Sequence, residues 1–348
     1  MTEPREATSI WVVLPTYNGG VHLREQLQSI ARQERPPDGL VASDDGSSDD
    51  SVSILEAFAR SAPFPVTVLR QPHNVGLLSN LETALATALT TADVIAFADQ
   101  DDLWHPAKLA RIEQAFADPC VLMWFSDAEF IDAGGRPYGV SLWQALSLSA
   151  GMDLNAPQHL LRFITGQTII GTAMAARSSL VRAGVPFPRT AELDSTHHFL
   201  HDGWLGLLAH LRGGVLLEPQ AMTQYRQHDQ QFTGMSLLRS AVEVAERHRS
   251  LNATVVLEEE LRLSAIEQHL RRPHSMSFLG GAVPAVLLDR IEYTSTRASV
   301  VTGHQNPLRL LTLRHHYDAY ADGWKTLLVD IFRYMRGRVR RGLNKPTR

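Results

Sequence analysis

The chain has 348 residues, enough for one large domain with an appendage or for two domains. Its hydrophobic fraction of 44% and charged fraction of 20% are ordinary for a soluble globular protein, and a net charge of -4 argues against a nucleic-acid partner. The single cysteine, Cys120, excludes an intrachain disulfide framework, and no run of about 18 apolar residues marks a transmembrane helix. The N-terminal stretch carries acids and no apolar core of a signal peptide, so the expectation is a cytoplasmic protein.

In chain order, Ile10 to Pro15 reads as a strand buried on both faces, followed from about Gly20 by a helix with Leu23, Leu27 and Ile30 at helical spacing. Leu40 to Ser43 is a second strand ending in D-D-G-S-S-D-D, where Asp49 or Asp50 can cap a helix with a stripe of Val52, Leu55 and Phe58. Val66 to Leu69 is a third strand. Asn74-Val75-Gly76 turns into a helix marked by Leu78, Leu81 and Leu85. Val94 to Phe97 is a fourth strand, Leu109, Ile112 and Phe116 mark the next helix, and Cys120 to Phe125 is a fifth strand. This alternation predicts an α/β sandwich around a mostly parallel sheet.

Gly151 to Val185 is apolar and rich in turns, and Arg189 to His201 is a polar, histidine-rich loop. An apolar helix then opens with His201-Asp202-Gly203-Trp204. Val215 to Leu217 forms a strand, and Tyr225-Arg226-Gln227-His228 leads to a glutamine-rich turn. The pattern becomes helical and more charged from Leu237, which puts a boundary near residue 235. It separates a catalytic unit, residues 1–235, from a helical region, residues 236–348.

In sheets of this type ligands bind beyond the carboxyl ends of the strands. Thr16-Tyr17-Asn18, Asp44-Asp45 and Asp99-Gln100-Asp101 follow strands one, two and four, so they should share one crevice. Asp99, Asp101 and Asp102 repel one another unless a positive group joins them, and oxygen ligands of this kind suit Mg²⁺ or Mn²⁺ beside a diphosphate. The plainer alternative is a solvated acidic turn capping the helix that starts near Pro106. P-T-Y-N-G-G stands where a dinucleotide fold would carry G-x-G-x-x-G, and the phosphate-loop pattern is absent.

The ordered set P-T-Y-N (Pro15 to Asn18), S-D-D-G-S-S-D (Ser43 to Asp49), N-V-G (Asn74 to Gly76), F-A-D-Q-D-D-L-W (Phe97 to Trp104), H-D-G-W and Y-R-Q-H resembles the family-2-type glycosyltransferases over roughly residues 10 to 235. The D-Q-D-D-x-W form and the Y-R-Q-H ending look most like bacterial enzymes that add rhamnose or related sugars to surface polysaccharides such as O-antigen. The resemblance implies the nucleotide-sugar-binding fold called GT-A, inversion at the anomeric centre, and a dTDP- or UDP-sugar donor. The acceptor it implies is a growing glycan or lipid-linked oligosaccharide. The Q-x-x-R-W signature of processive members is missing, which favours addition of one sugar.

By the same resemblance Asp45 meets the N3–H of a pyrimidine base, with Asp44 near it and Thr16 and Tyr17 flanking. Asn18, Asn74, Gly76 and Gln100 belong to the same nucleotide-sugar motifs. Turn capping is the alternative for the Asp44-Asp45 pair. Asp101 is implied as the direct metal ligand, Asp99 as a partner of the ribose or a metal-bound water, and Asp102 as a less specific neighbour or cap. A partly desolvated carboxylate at a helix start can take a proton from an attacking hydroxyl, and the match at H-D-G-W makes Asp202 the candidate base; an ordinary helix cap is the other option. Arg226 and His228 either sit by the diphosphate and complete the metal shell or close the site structurally. His201 orients the acceptor or packs, and His197 with His201 reads as loop rather than as a metal pair.

At the end of the chain Trp324, Leu327, Leu328, Ile331, Phe332 and Met335 fall at helical spacing beside a cluster of arginines. Such a tail either lies on an anionic membrane surface at the cytoplasmic face or packs on the catalytic unit. Two other functions compete. An aspartate-based phosphohydrolase would carry its D-x-D after the first strand rather than the fourth, and a non-catalytic carbohydrate-binding protein would not need Asp45, Asp99, Asp101 and Asp202 intact.

Overall fold

A computed structural model describes residues 8–164, 168–189, 200–228, 253–302, 304–306, 308–312 and 331. The glutamine-rich turn, the boundary near residue 235, His197 and all of the C-terminal stripe except Ile331 lie outside the described residues.

The first half alternates as the spacing predicts. β1 (Ile10–Thr16), α1 (Gly20–Ala31), β2 (Gly39–Asp44), α2 (Ser51–Ser61), β3 (Val66–Arg70), α3 (Leu77–Ala88) and β4 (Val94–Phe97) follow in order. The parallel order β3-β2-β1-β4 builds one side of the sheet. β1, β2 and β4 are apolar on both faces because both faces are covered, whereas the edge strand β3 is half-buried to exposed. Val13, Val41 and Ile95 point into a core shared with α3, while Val12, Leu14, Leu40 and Ala96 point into a second core with Leu23, Leu27, Ile54 and Leu55 of α1 and α2. On α2 the buried apolar residues are Ile54 and the expected Leu55, while the expected Val52 and Phe58 are only half-buried. Asp49, not Asp50, serves the start of α2, accepting the Ser51 N–H at 3.0 Å.

β5 (Leu103–Trp104) and α4 (Lys108–Phe116) come next, then β6 (Met123–Ile131), β7 (Pro137–Ser141), α5 (Leu142–Leu146), α6 (Leu160–Ile164) and β8 (Met174–Arg177). β6 starts three residues after the expected Cys120 and runs to Ile131. It does not lie beside β4, because β8 inserts antiparallel between them. The sequence M-A-A-R lacks the branched and aromatic residues of a typical strand, yet Ala175 and Ala176 are fully buried between two layers.

α7 (Ser178–Gly184), α8 (His201–Leu211) and β9 (Val215–Arg226) complete the sheet. β9 is one strand of 12 residues, where the sequence suggests a short strand and a separate polar motif. Its ladder with β6 slips register from Ser126↔Glu218 to Asp127↔Ala221, a bulge that accommodates Pro219 and lets the strand continue to Arg226.

The helices α9 (Ala253–Leu270), α10 (Pro273–Phe278), α11 (Ala285–Val301) and α12 (Arg309–Thr312) pack in part on the sheet unit. Leu263, Ile266, Leu270 and Leu287 join the apolar cluster that contains Trp204, Leu205 and Leu208. The Ser275 hydroxyl donates to the Ala183 carbonyl at 2.9 Å, and the Arg212 guanidinium lies over Phe278.

Candidate active site

The crevice opens at the carboxyl ends of β1, β2 and β4, and the first three loops are sewn together there. Asp44, 1% exposed, accepts from Thr16 Oγ1 (3.2 Å), Ser47 N (2.9 Å) and Ser47 Oγ (2.5 Å), so it holds the loop after β1 to the loop after β2. Asn18, in the left-handed region at φ 48°, receives the Ser48 N–H at 2.9 Å. Asp45 accepts the backbone N–H groups of Val75 (2.7 Å) and Gly76 (3.0 Å), and the Asn74 side chain braces the same turn at 3.1 Å. Two oxygens of an ionised carboxylate offer about four acceptor directions, so Asp45 keeps capacity for another donor. Gly46 is required twice over: its φ is +77°, and a Cβ there would come within 2.9 Å of the His73 backbone. Tyr17 stands 46% exposed at the rim.

Gln100 connects this wall to the acidic loop. It accepts from Tyr17 N at 2.9 Å and donates to Tyr17 O at 3.1 Å. A Cβ on Gly19 would fall 2.3 Å from its Oε1, so the glycine makes room for it. The acidic loop does not cap α4: Ala107 N donates instead to His105 Nδ1 at 3.2 Å. Asp102 is fully buried and accepts the Arg226 N–H at 2.8 Å; burial, then the charges of Asp101 and Asp99, pushes its carboxyl well above the usual range. Half-buried Asp99 is raised to about 7 by burial, with Asp101 and Asp202 adding to the effect and Lys108 opposing it.

Arg226 is 1% exposed, and each of its guanidinium nitrogens is engaged. Nε donates to the Asp101 carbonyl (2.7 Å), Nη1 to the Ala133 carbonyl (2.9 Å) and Nη2 to Glu25 (2.7 Å). Of the two expectations for Arg226, this geometry is that of a brace closing the site. His228 lies against Asp101 itself, with Nε2 2.8 Å from Oδ2, and its ring meets His22 at 5.2 Å.

Asp202 approaches from the other side. The N-cap of α8 is Leu200, so Asp202 lies inside the first turn and is not the helix cap. Its oxygens accept the Gly203 N–H (2.7 Å) and the Gly171 N–H (3.2 Å). Burial raises its pKa to about 7, with those hydrogen bonds opposing. His201 beside it is buried, stacks on Phe97 at 5.4 Å and is lowered to about 4 by burial, so it stays neutral at ordinary pH.

Asp99, Asp101, Asp202 and His228 thus gather at one end of the sheet, although they come from separate elements. Among the described residues no group of three or more histidine, cysteine, aspartate or glutamate side chains closes into a metal cage. The donor set nevertheless fits Mg²⁺ or Mn²⁺, since such ions are commonly held by one or two carboxylates and completed by phosphate oxygens and water. The Asp99 carboxyl, raised by burial and then by the charges of Asp101 and Asp202, is one that a dication would relieve.

The arrangement is that of the GT-A nucleotide-sugar-binding fold. The crystal structure of Staphylococcus aureus TarS, residues 1–349 with UDP, superposes at a TM-score of 0.50 and 17% identity, covering 95% of this chain and 92% of that one. Residues 11–181 match the family model described as Glycosyl transferase family 2. An uncharacterized glycosyltransferase of Nostoc sp. is 29% identical over 140 residues, 40% of this chain and 42% of that protein. The dTDP-rhamnosyl transferase RfbG of Shigella flexneri is 32% identical over 104 residues, 28% of this chain and 34% of that protein. The chain spans less than half of either curated relative.

Sequence reasoning missed Lys108 and Gly171. Lys108 had a signal: it shares the 108/112/116 stripe with Ile112 and Phe116, a place for an apolar residue. The contact of Gly171 with Asp202 spans 31 positions and has no local signature.

Proposed function

We propose that the chain transfers a single sugar, with rhamnose favoured, from a dTDP- or UDP-sugar to a hydroxyl of a growing glycan, inverting the anomeric centre. The observation that carries this reading is the convergence of Asp99 and Asp101 on the donor side with the half-buried, pKa-raised Asp202 opposite. The similarity to a dTDP-rhamnosyl transferase supports the choice of donor. Residues 1–235 form the transferase unit in this reading, and residues 236–348 are a helical region.

Asp45 orients the pyrimidine through N3–H, held by the Asn74–Gly76 turn, while Thr16, Tyr17 and Asn18 flank the base and Asp44 and Gln100 fix their loops. The acceptor oxygen attacks the anomeric carbon and its proton passes to Asp202. The bond to the diphosphate oxygen breaks with its electron pair, and the nucleoside diphosphate leaves. Asp99 and Asp101 with His228 would hold Mg²⁺ or Mn²⁺, which would supply Lewis-acid stabilisation of that leaving group. Arg226 keeps the acidic loop in register for it.

Thermal shift tests the donor assignment. UDP or dTDP with Mg²⁺, at a hundredfold over the dissociation constant, should add roughly 2.7 kcal/mol of stability. Equal stabilisation by GDP, or an undiminished shift in Asp45→Ala, contradicts it. The basic C-terminal stripe adds a place of work at the cytoplasmic membrane face. Removing residues from Trp324 onward should reduce salt-sensitive binding to anionic liposomes, and a full-length protein that ignores them at low salt rules the idea out.

A further inference from the structure

A buried lysine with no role in the chemistry above lies beneath this site. Lys108 opens α4, is 0% exposed, and its Nζ lies 4.1 Å from the centroid of the Trp104 ring. The ammonium donates to the Thr172 carbonyl and, at 2.9 Å, to Thr223 Oγ1 on β9. Thr223 Oγ1 also reaches the Thr172 carbonyl at 3.3 Å, so lysine, strand and carbonyl form one knot. Burial lowers the pKa of Lys108 to about 7, with the nearby Asp102 and Asp99 opposing that shift. A methionine would fill this place on the apolar stripe without the cost of burying an ammonium. The directed donors therefore have work that volume alone cannot do.

The peptide they hold indicates what that work is. Thr172 is the middle of a single 3-10 turn, Gly171–Ala173. The first residue of that turn donates its N–H to Asp202 Oδ2 at 3.2 Å. It also lies so close to His201 that a Cβ on Gly171 would come 2.8 Å from Nε2. The turn is thus clamped, with Lys108 and Thr223 on one side and the His201-Asp202 pair on the other. We propose that Lys108 is a positioning residue for Asp202, acting through the Thr172 carbonyl and the Gly171 N–H. The inference rests on the reading of Asp202 as the base. Because the same lysine springs from the helix that follows the acidic loop, it also ties the donor side of the crevice to the acceptor side.

The test uses the full chain as wild type, Lys108→Met, Thr223→Val and Thr223→Ser. Three quantities are measured: UDP or dTDP binding with Mg²⁺ by calorimetry, kcat and KM for transfer, and hydrogen exchange of the segment 168–176. Misplacing a catalytic group by a fraction of an ångström to 1 Å costs up to about 10²-fold. Lys108→Met should accordingly lose about 10- to 100-fold in kcat with nucleotide affinity within about threefold, and its Gly171 segment should exchange faster. Thr223→Val should show a smaller loss with the same split, and Thr223→Ser, which keeps the hydroxyl, should restore the wild-type rate. Unchanged kcat in Lys108→Met overturns the proposal. So does a fall in nucleotide affinity as large as the fall in kcat, which assigns the lysine to the diphosphate side. If Lys108→Met does not fold, equal kcat in the two Thr223 variants is the overturning result. A wild type that transfers no sugar defeats the functional reading instead, and the exchange of the 168–176 segment still decides whether Lys108 holds the turn.

Discussion

Asp202→Asn should retain nucleotide and metal affinity while sugar transfer falls by roughly 10² to 10⁴, the usual scale for loss of a general base. The amide keeps the size of the carboxylate, but its single oxygen can accept from only one of Gly171 and Gly203, which donate to different oxygens, and it cannot take a proton. The loss should therefore appear in kcat, as for an interaction made only in the transition state. The sign of the pH dependence follows from the same group. Burial raises Asp202 to about 7, so the base is protonated below that pH and the wild-type rate should fall about tenfold per unit on the acid side. Asp101→Ala should differ, weakening metal-dependent nucleotide binding as well as slowing transfer. Calorimetry with rate measurements on both variants separates the two, and near-normal transfer by Asp202→Asn places the base elsewhere.

Arg226→Met should lower the unfolding free energy by about 3 kcal/mol. Its guanidinium satisfies two backbone carbonyls, those of Asp101 and Ala133, and is itself almost completely buried. Methionine leaves both acceptors without that donor, and hydrogen bonds to a charged group are worth about 1.5–3 kcal/mol each. The pair with Glu25 adds little, because that carboxylate is 58% exposed. The measurement is the urea midpoint at constant slope. A loss below about 1 kcal/mol would mean that the brace contributes no more than a surface contact.

The first four strands and their helices were legible because each strand is a short run rich in branched apolar residues with a turn after it, and β1, β2 and β4 are buried on both faces. The acidic loop, the Asp44-Asp45 pair and Asp202 were legible by chemistry and motif. β8 was not, since two alanines between layers carry no strand propensity and only the surrounding packing selects them. β9 was hidden by Pro219, whose bulge is a property of the pairing with β6 and not of the strand alone. The role of Asp202 as something other than a cap also depends on tertiary structure: the N-cap position falls on Leu200, and Gly171 reaches the carboxylate from a distant turn. Arg226 reads as a phosphate-binding cation by type, and its burial against two carbonyls is visible only in the folded chain.

The shared core under α8 bears on when during synthesis the site can exist. Trp204, two residues after Asp202, packs edge-on against His269 at 6.0 Å, and the cluster around it draws Leu263, Ile266, Leu270 and Leu287 from the C-terminal helices. A ribosome delivers β1 to β4 early, and domains generally fold as units from the N-terminus as they emerge. The wall that carries Asp44 and Asp45 can therefore form while the last third of the chain is still being made. The floor beneath Asp202 cannot, because four of its apolar residues are encoded between positions 263 and 287. A nascent chain passes through an interval in which the loops at the ends of β1, β2 and β4 are made before the helix bearing Asp202 is fully seated.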